Sequence, residues 1–172
     1  KLFELIYYTP TSPEVYERPL LIVPPCINKF YILDLTPQNS FIQFALAQGY
    51  SVFLVSWVNP GREMSDVGFE SYMTDGVKEA LDQVVTVTGQ KDVNAIGYCI
   101  GGTLLAVTAD YLKKRGHNVV HSATFFTTLT DFDDPGELAV YTSPDYVRKI
   151  KDRIEEGGLL DGAFLSQTFS FL

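Results

Sequence analysis

The sequence predicts an α/β domain, a parallel sheet covered by helices on both faces. Three observations carry that reading. Short apolar runs at Leu20–Val23, Tyr50–Trp57 and Val93–Ile96 lack strict alternation, as strands buried on both faces do. Segments of helical period lie between them and stop at Gly49, Gly89 and Gly116. The strand–helix–strand intervals suit right-handed βαβ units.

Leu2–Tyr8 opens the chain as a short aromatic and aliphatic strand, followed by turn chemistry at Thr9-Pro10-Thr11-Ser12-Pro13. The run Arg18–Val23 reads as a buried strand that Pro24-Pro25 brings to an end. A loop follows through Cys26-Ile27-Asn28-Lys29-Phe30-Tyr31, with Asp34 ahead of a turn at Thr36-Pro37. Asn39 or Ser40 caps a helix whose apolar positions are Phe41, Ile42, Ala45 and Leu46. Tyr50–Trp57 is the next strand, broken by Asn59-Pro60-Gly61. A helix is expected over Phe69–Thr88, with Val77, Ala80, Leu81 and Val84 on one face.

The strand Val93–Ile96 runs into a helix that buries Ile100, Leu104, Thr108, Tyr111 and Leu112 and carries Lys113-Lys114-Arg115 in its last turn. His121–Leu129 is one more strand, expected to present an uncovered apolar edge. The texture changes after Thr130. Ser143-Pro144 starts a helix with a thin stripe of Val147, Ile150 and Ile154, ended by Gly157-Gly158. Residues 1–132 are read as the sheet-bearing core and 133–172 as the start of a cap over the site.

Bulk properties limit the function classes. The 172 residues carry 46% hydrophobic and 20% charged residues, a globular composition with room for a sizeable core. A net charge of −8 argues against nucleic acid and anionic membrane surfaces as partners. Cys26 and Cys99 are too few for a disulfide framework and fit a reducing compartment. No apolar run approaches the roughly 20 residues of a membrane span. Because the chain starts at Lys1 in the middle of a strand, it is expected to be a piece of something longer.

The chemistry concentrates at Gly97-Tyr98-Cys99-Ile100-Gly101, which follows a strand and opens a helix. That is the G-x-S-x-G nucleophile elbow with a thiol in place of the hydroxyl. Small residues are needed two positions either side of the nucleophile because the helix packs back onto the strand. The N–H of Ile100 then faces the space beside the sulfur, where an oxyanion would form, and the helix N-terminus favours a thiolate. A dinucleotide fingerprint is excluded because Cys99 stands where its second glycine is required.

Such a thiol needs a histidine base and a carboxylate. The two histidines, His117 and His121, lie beyond the far end of the helix, roughly 20 Å from the sulfur. Neither can serve. In α/β-hydrolase order the acid and histidine follow on later strands, so the expected fold is an α/β-hydrolase truncated before its last strands, with nucleophile and oxyanion hole but no complete triad.

Pro24-Pro25-Cys26-Ile27-Asn28-Lys29, Tyr31-Ile32-Leu33-Asp34-Leu35, Val55-Ser56-Trp57, Gly97-Tyr98-Cys99-Ile100-Gly101-Gly102 and Thr168-Phe169-Ser170-Phe171-Leu172 resemble the polyhydroxyalkanoate synthases, most closely those making short-chain polymers. The resemblance spans about Phe3 to Leu172. It implies a capped α/β-hydrolase that polymerises (R)-3-hydroxyacyl-CoA into polyester, releasing CoA, with no cofactor and no metal. It places the catalytic cysteine on Cys99 and the oxyanion donors on the backbone N–H of Ile100 and Ile27. It implies a cytoplasmic protein on polyester granules rather than on a membrane, a homodimer at full length, and a catalytic Asp and His beyond Leu172.

Several residues keep two readings. Cys26 lies close to the site but also fits a small buried or loop thiol, and Asp34 either stands near the site or terminates a turn. Lys29 and Arg62 either meet CoA phosphates or are solvated. Asp131 could imitate a triad acid at a strand end, with no histidine near it. The run Arg148-Lys149-Lys151-Arg153, interleaved with Asp152, Glu155 and Glu156, reads as a solvated helix face rather than a polymer or membrane contact. Two rival functions stand beside the synthase: a Cys-dependent thioesterase or esterase, and a non-catalytic subunit of the same fold.

Overall fold

Buried strands need helices on both faces, and the alternation of side chains along each strand decides what each helix meets. The computed structural model describes residues 1–157 together with residues 160 and 162. The closing Thr168–Leu172 stretch, and Gly158 as part of a helix stop, lie outside the described residues. The chain divides into two compact units, Lys1–Val58 with Gly68–Thr130, and Asn59–Val67 with the chain from Asp131 on.

The first unit runs β1 (Phe3–Tyr8), β2 (Leu20–Val23), a 3-10 turn (Phe30–Leu33), β3 (Asp34–Thr36), β4 (Asn39–Ser40), α1 (Phe41–Ala47) and β5 (Val52–Trp57). It continues through α2 (Phe69–Ser71), which passes by way of a π-helical segment (Tyr72–Lys78) into α3 (Glu79–Thr88). Then come β6 (Val93–Tyr98), α4 (Ile100–Lys114) and β7 (Val120–Phe126). The main sheet has the order β1-β5-β2-β6-β7. Strands β5, β2, β6 and β7 are mutually parallel. β1 departs from the all-parallel expectation. It pairs antiparallel with β5, from Phe3↔Trp57 to Tyr8↔Val52. Strand direction is not encoded in local pattern, so the composition that marked Leu2–Tyr8 as a strand carried no sign of it.

Leu21, Val23, Phe53, Val55 and Trp57 point to one face and pack with Val77, Leu81, Val84, Leu104, Leu105 and Leu112 from the π segment, α3 and α4. Their neighbours Leu20, Ile22, Val52, Leu54 and Ile96 point to the other face and meet Ile42, Ala45 and Leu46 of α1. A slip of one residue in any strand would exchange the two sets, so burial fixes the register. Four smaller differences from the sequence reading appear. The expected loop before Asp34 contains the 3-10 turn, and a hairpin of β3 and β4 follows it. The long helix carries the π segment. The strand expected to reach Leu129 ends at Phe126. That strand, β7, is the sheet's outer edge and is largely exposed.

In the second unit, Arg62 Nη2 donates to the Gly157 carbonyl of α5 (Pro144–Gly157) at 2.7 Å and satisfies one of its last acceptors. The Val147, Ile150 and Ile154 stripe falls on this helix, none of whose described residues is buried. Among the described residues no helix is long and apolar enough to cross a membrane.

Ser40 caps α1 by accepting from the Gln43 N–H at 2.9 Å. Ser40→Ala should therefore destabilise the first unit by about 1 kcal/mol, read as a lower urea midpoint at unchanged slope.

Candidate active site

The chain leaves β2 toward α1 on one face of the sheet and leaves β6 toward α4 on the other. β2 and β6 are neighbours, with Val23 opposite Gly97. Connections diverging from adjacent parallel strands open a crevice at their C-terminal ends, the place where open α/β sheets bind ligands. The two loops that meet there are Pro24–Ile27 and the turn at Cys99.

Cys99 joins β6 to α4 with φ 54° and ψ −127°. Among the described residues only it and Thr127 hold a positive φ without being glycine. Such a conformation costs about 1–3 kcal/mol and persists only where the surroundings impose it. Here the Cys99 N–H still donates across the sheet to Phe126 O (2.9 Å), while its carbonyl already accepts from Gly102 N (2.9 Å) and Thr103 N (3.3 Å) of the helix. The residue is strand at one end and helix cap at the other. Cys99 is partly exposed.

Three glycines make the junction possible. A Cβ on Gly97 would collide with Gly102 Cα, and one on Gly101 with the carbonyls of Val23 and Pro24. A Cβ on Gly102 would overlap the Thr128 side chain. Gly97 and Gly101 are the small positions the elbow motif demands, and Gly102 is a third. The turn after β7 is clipped to the same helix. Thr128 Oγ1 donates to Phe126 O at 3.0 Å and Gly97 O at 3.5 Å, and Thr103 Oγ1 donates to Leu129 O at 2.7 Å. Sequence reasoning gave this turn no role.

Ile100 is the first residue of α4, and its N–H donates to no acceptor among the described residues. The Ile27 N–H likewise has no acceptor there. Ile27 follows β2 by four positions, in the loop whose Pro24 touches Gly101 of the elbow helix. Cys26 packs against the core cluster that contains Trp57. Burial pushes its thiol up to about 11, with Lys29 pulling the other way and Cys99 adding to the rise. Cys26 and Cys99 thus lie within electrostatic reach of one another. Tyr72 is raised by burial and then by Cys26.

Asp34 has two partners of its own. Ser40 Oγ donates to it at 2.6 Å, and Tyr8 is pushed up to about 12 by burial and by the charge and hydrogen bond of Asp34. Asp131 is corrected. It lies in a loop five residues past the end of β7, where its Oδ1 accepts from Asp133 N at 3.0 Å. His121 stands 3.8 Å from Asp92, whose carboxyl the hydrogen-bonded Arg18 guanidinium holds below the usual range. That cluster lies at the start of β6, and the six residues of the strand put about 20 Å between it and Cys99. Among the described residues no group of His, Cys, Asp and Glu could hold a metal ion.

The family profile described as Poly-beta-hydroxybutyrate polymerase (PhaC) N-terminus matches residues 1–45. The chain is 50% identical over 171 residues to the Poly(3-hydroxyalkanoate) polymerase of Methylorubrum extorquens, covering 99% of the chain and 28% of that protein. It is 40% identical over 176 residues to the Poly(3-hydroxyalkanoate) polymerase subunit PhaC of Cupriavidus necator, covering 99% and 30%. The resemblance read from the sequence therefore holds over nearly the whole chain, which spans under a third of these relatives. Among solved structures, one of the carboxylesterases of Nitrososphaera gargensis aligns with a TM-score of 0.56 at 16% identity, over 90% of this chain and 51% of that one. An alpha/beta hydrolase from the metagenome of Mar Chica lagoon sediments aligns at 0.52 and 14%, over 87% and 59%. These likenesses bear out the α/β-hydrolase fold.

Two outcomes follow from the packing and the titration. Gly101→Ala should destabilise the unit by about 1–3 kcal/mol or more, seen as a lower melting temperature, because backbone carbonyls cannot retreat. Cys26 should stay unlabelled by iodoacetamide at pH 8 in the folded protein and label as pH approaches about 11, followed by peptide mass spectrometry. Its raised pKa also favours folding below the unfolded value, and that contribution is lost as pH rises through about 11.

Proposed function

We propose that this chain supplies the nucleophile-bearing part of a poly(3-hydroxyalkanoate) polymerase acting on (R)-3-hydroxyacyl-CoA, with 3-hydroxybutyryl-CoA as the reference substrate. The observation that carries the reading is Cys99 at the strand–helix junction with φ 54° and an unengaged Ile100 amide beside it. The similarity to the polymerases over 99% of the chain supports the substrate class.

In the first step Cys99 Sγ, as thiolate, attacks the thioester carbonyl carbon. The N–H groups of Ile100 and Ile27 receive the developing oxyanion. The carbon–sulfur bond to CoA then breaks, and CoA leaves with the proton that Cys99 gave up. One thioester has replaced another, so the exchange is nearly isoenergetic and the acyl group stays activated. In the second step the hydroxyl of another 3-hydroxyacyl unit attacks this thioester. A C–O bond forms, the C–S bond to Cys99 breaks, and the hydroxyl proton returns to sulfur. A serine in place of Cys99 would store the acyl group as an ester, and chain growth would lose its driving force.

Both steps need a base within about 3 Å of the proton. His117 and His121 are too distant, so in this reading the base and its carboxylate come from outside residues 1–172. Water must also be kept from the acyl-enzyme, and the segment from residue 133 onward is read as the start of a cap with that role. Association with polyester granules and dimerisation belong to the same proposal. No cofactor enters.

The test uses the full-length gene product with 3-hydroxybutyryl-CoA. Insoluble polyester and released CoA are expected, and Cys99→Ala should lower the rate by about 10⁴-fold or more. Free 3-hydroxybutyrate as the main product would make the protein a thioesterase. Retained polymerisation in Cys99→Ala would remove the nucleophile.

A further inference from the structure

The loop after β2 has left the sheet ladder, so its carbonyls need other partners if they are buried. Pro24 is buried, and its carbonyl is held from two sides. Trp57 Nε1 donates to it at 2.8 Å in a buried bond. Gly101 of α4, bare of a side chain, lets the helix lie directly against the same oxygen.

The indole is itself immobilised. Trp57 is 5% exposed. Phe3 meets its ring edge-on at 6.1 Å between centroids, and Tyr72 lies at 5.5 Å. Behind it sits Gly76 of the π segment, where a Cβ would stand 3.0 Å from the indole Cη2 and Cζ3 atoms. A π-helical turn in an otherwise regular helix commonly marks a place where geometry is adjusted for function. Here it brings Tyr72 and Gly76 onto the tryptophan.

We propose that Trp57 is a positioning residue for the oxyanion hole: its indole N–H fixes the Pro24 carbonyl, and so the aim of the Ile27 N–H three residues on, against the Cys99 elbow. The inference rests on the reading of Cys99 as the acyl acceptor. Trp57 does not touch the reacting atoms. It acts through one hydrogen bond, and the same oxygen that it holds packs on the helix carrying the Ile100 amide. The two oxyanion donors are thereby referred to a single fixed point, which matters because such donors work only when aimed in advance.

A selective signature follows. Attack of the sulfur on an acyl carbonyl builds an oxyanion, whereas displacement of iodide from iodoacetamide builds none. In the full-length gene product, Trp57→Phe keeps a ring and removes the N–H. Acylation of Cys99 by p-nitrophenyl butyrate, read as the nitrophenolate burst, should fall about 10- to 100-fold, with alkylation by iodoacetamide within about twofold of wild type. Peptide mass spectrometry assigns both modifications. Equal loss of the two rates, or no loss of acylation, overturns the proposal. If Trp57→Phe does not fold, Gly76→Ala decides, since it keeps the N–H and crowds the ring. The same selective loss is expected there, and an unchanged ratio overturns the proposal. Wild-type acylation found away from Cys99 would instead sink the underlying reading of the nucleophile.

Discussion

The structure depends on how closely the first turn of α4 approaches the ends of β2 and β6. Gly97, Gly101 and Gly102 leave room for that approach on three sides, against the helix, the β2 exit and Thr128. With the helix so near, the connecting residue has one way to turn, and Cys99 takes φ 54°. The strain of about 1–3 kcal/mol is small beside what α4 contributes by docking. Leu104, Leu105 and Leu112 are each at most 2% exposed, and each such side chain contributes about 1.5–3 kcal/mol. The core therefore imposes the bend, and Cys99 is left partly exposed at the C-terminal end of β6.

Topology adds the second half of the site. Because α1 and α4 cover opposite faces, the loops leaving β2 and β6 part at a crevice that belongs to neither helix. Amides of both loops can face one acyl carbon only if the loops are tied together, and Pro24 lies at that tie. It touches Gly101 from one side and accepts from Trp57 on the other. Charge plays a smaller part here. Arg18, Asp92 and His121 cluster at the opposite ends of the strands, where they join β2, β6 and β7.

Much of this was legible in advance because it follows local pattern. The strand Leu20–Val23 and the helix Ile100–Lys114 were readable from apolar runs, periodicity and the stop at Gly116. Gly97-Tyr98-Cys99-Ile100-Gly101 was readable because it sits between a strand and a helix, and a strand-to-helix elbow requires small residues at those two places. Asp34 was ambiguous because a carboxylate looks the same in sequence whether it stands near a site or terminates a turn, and its bond to Ser40 and its effect on Tyr8 appear only in the fold. Asp131 looked like a strand end because the β-branched and apolar residues of the run continue to Leu129, although Thr127 with φ 41° stops the strand after Phe126.

By itself the sequence determined the α/β class, the strand–turn–helix around Cys99 and the distance of both histidines from it, since each is written in residues adjacent along the chain. The tertiary structure alone decided that β1 runs antiparallel, that the long helix widens into a π turn at Tyr72–Lys78, and that the sole tryptophan reaches across 33 positions to the Pro24 carbonyl. Those features depend on pairing between distant segments. Local composition carries no record of which partner a strand edge, a ring or a carbonyl will find once the core has closed.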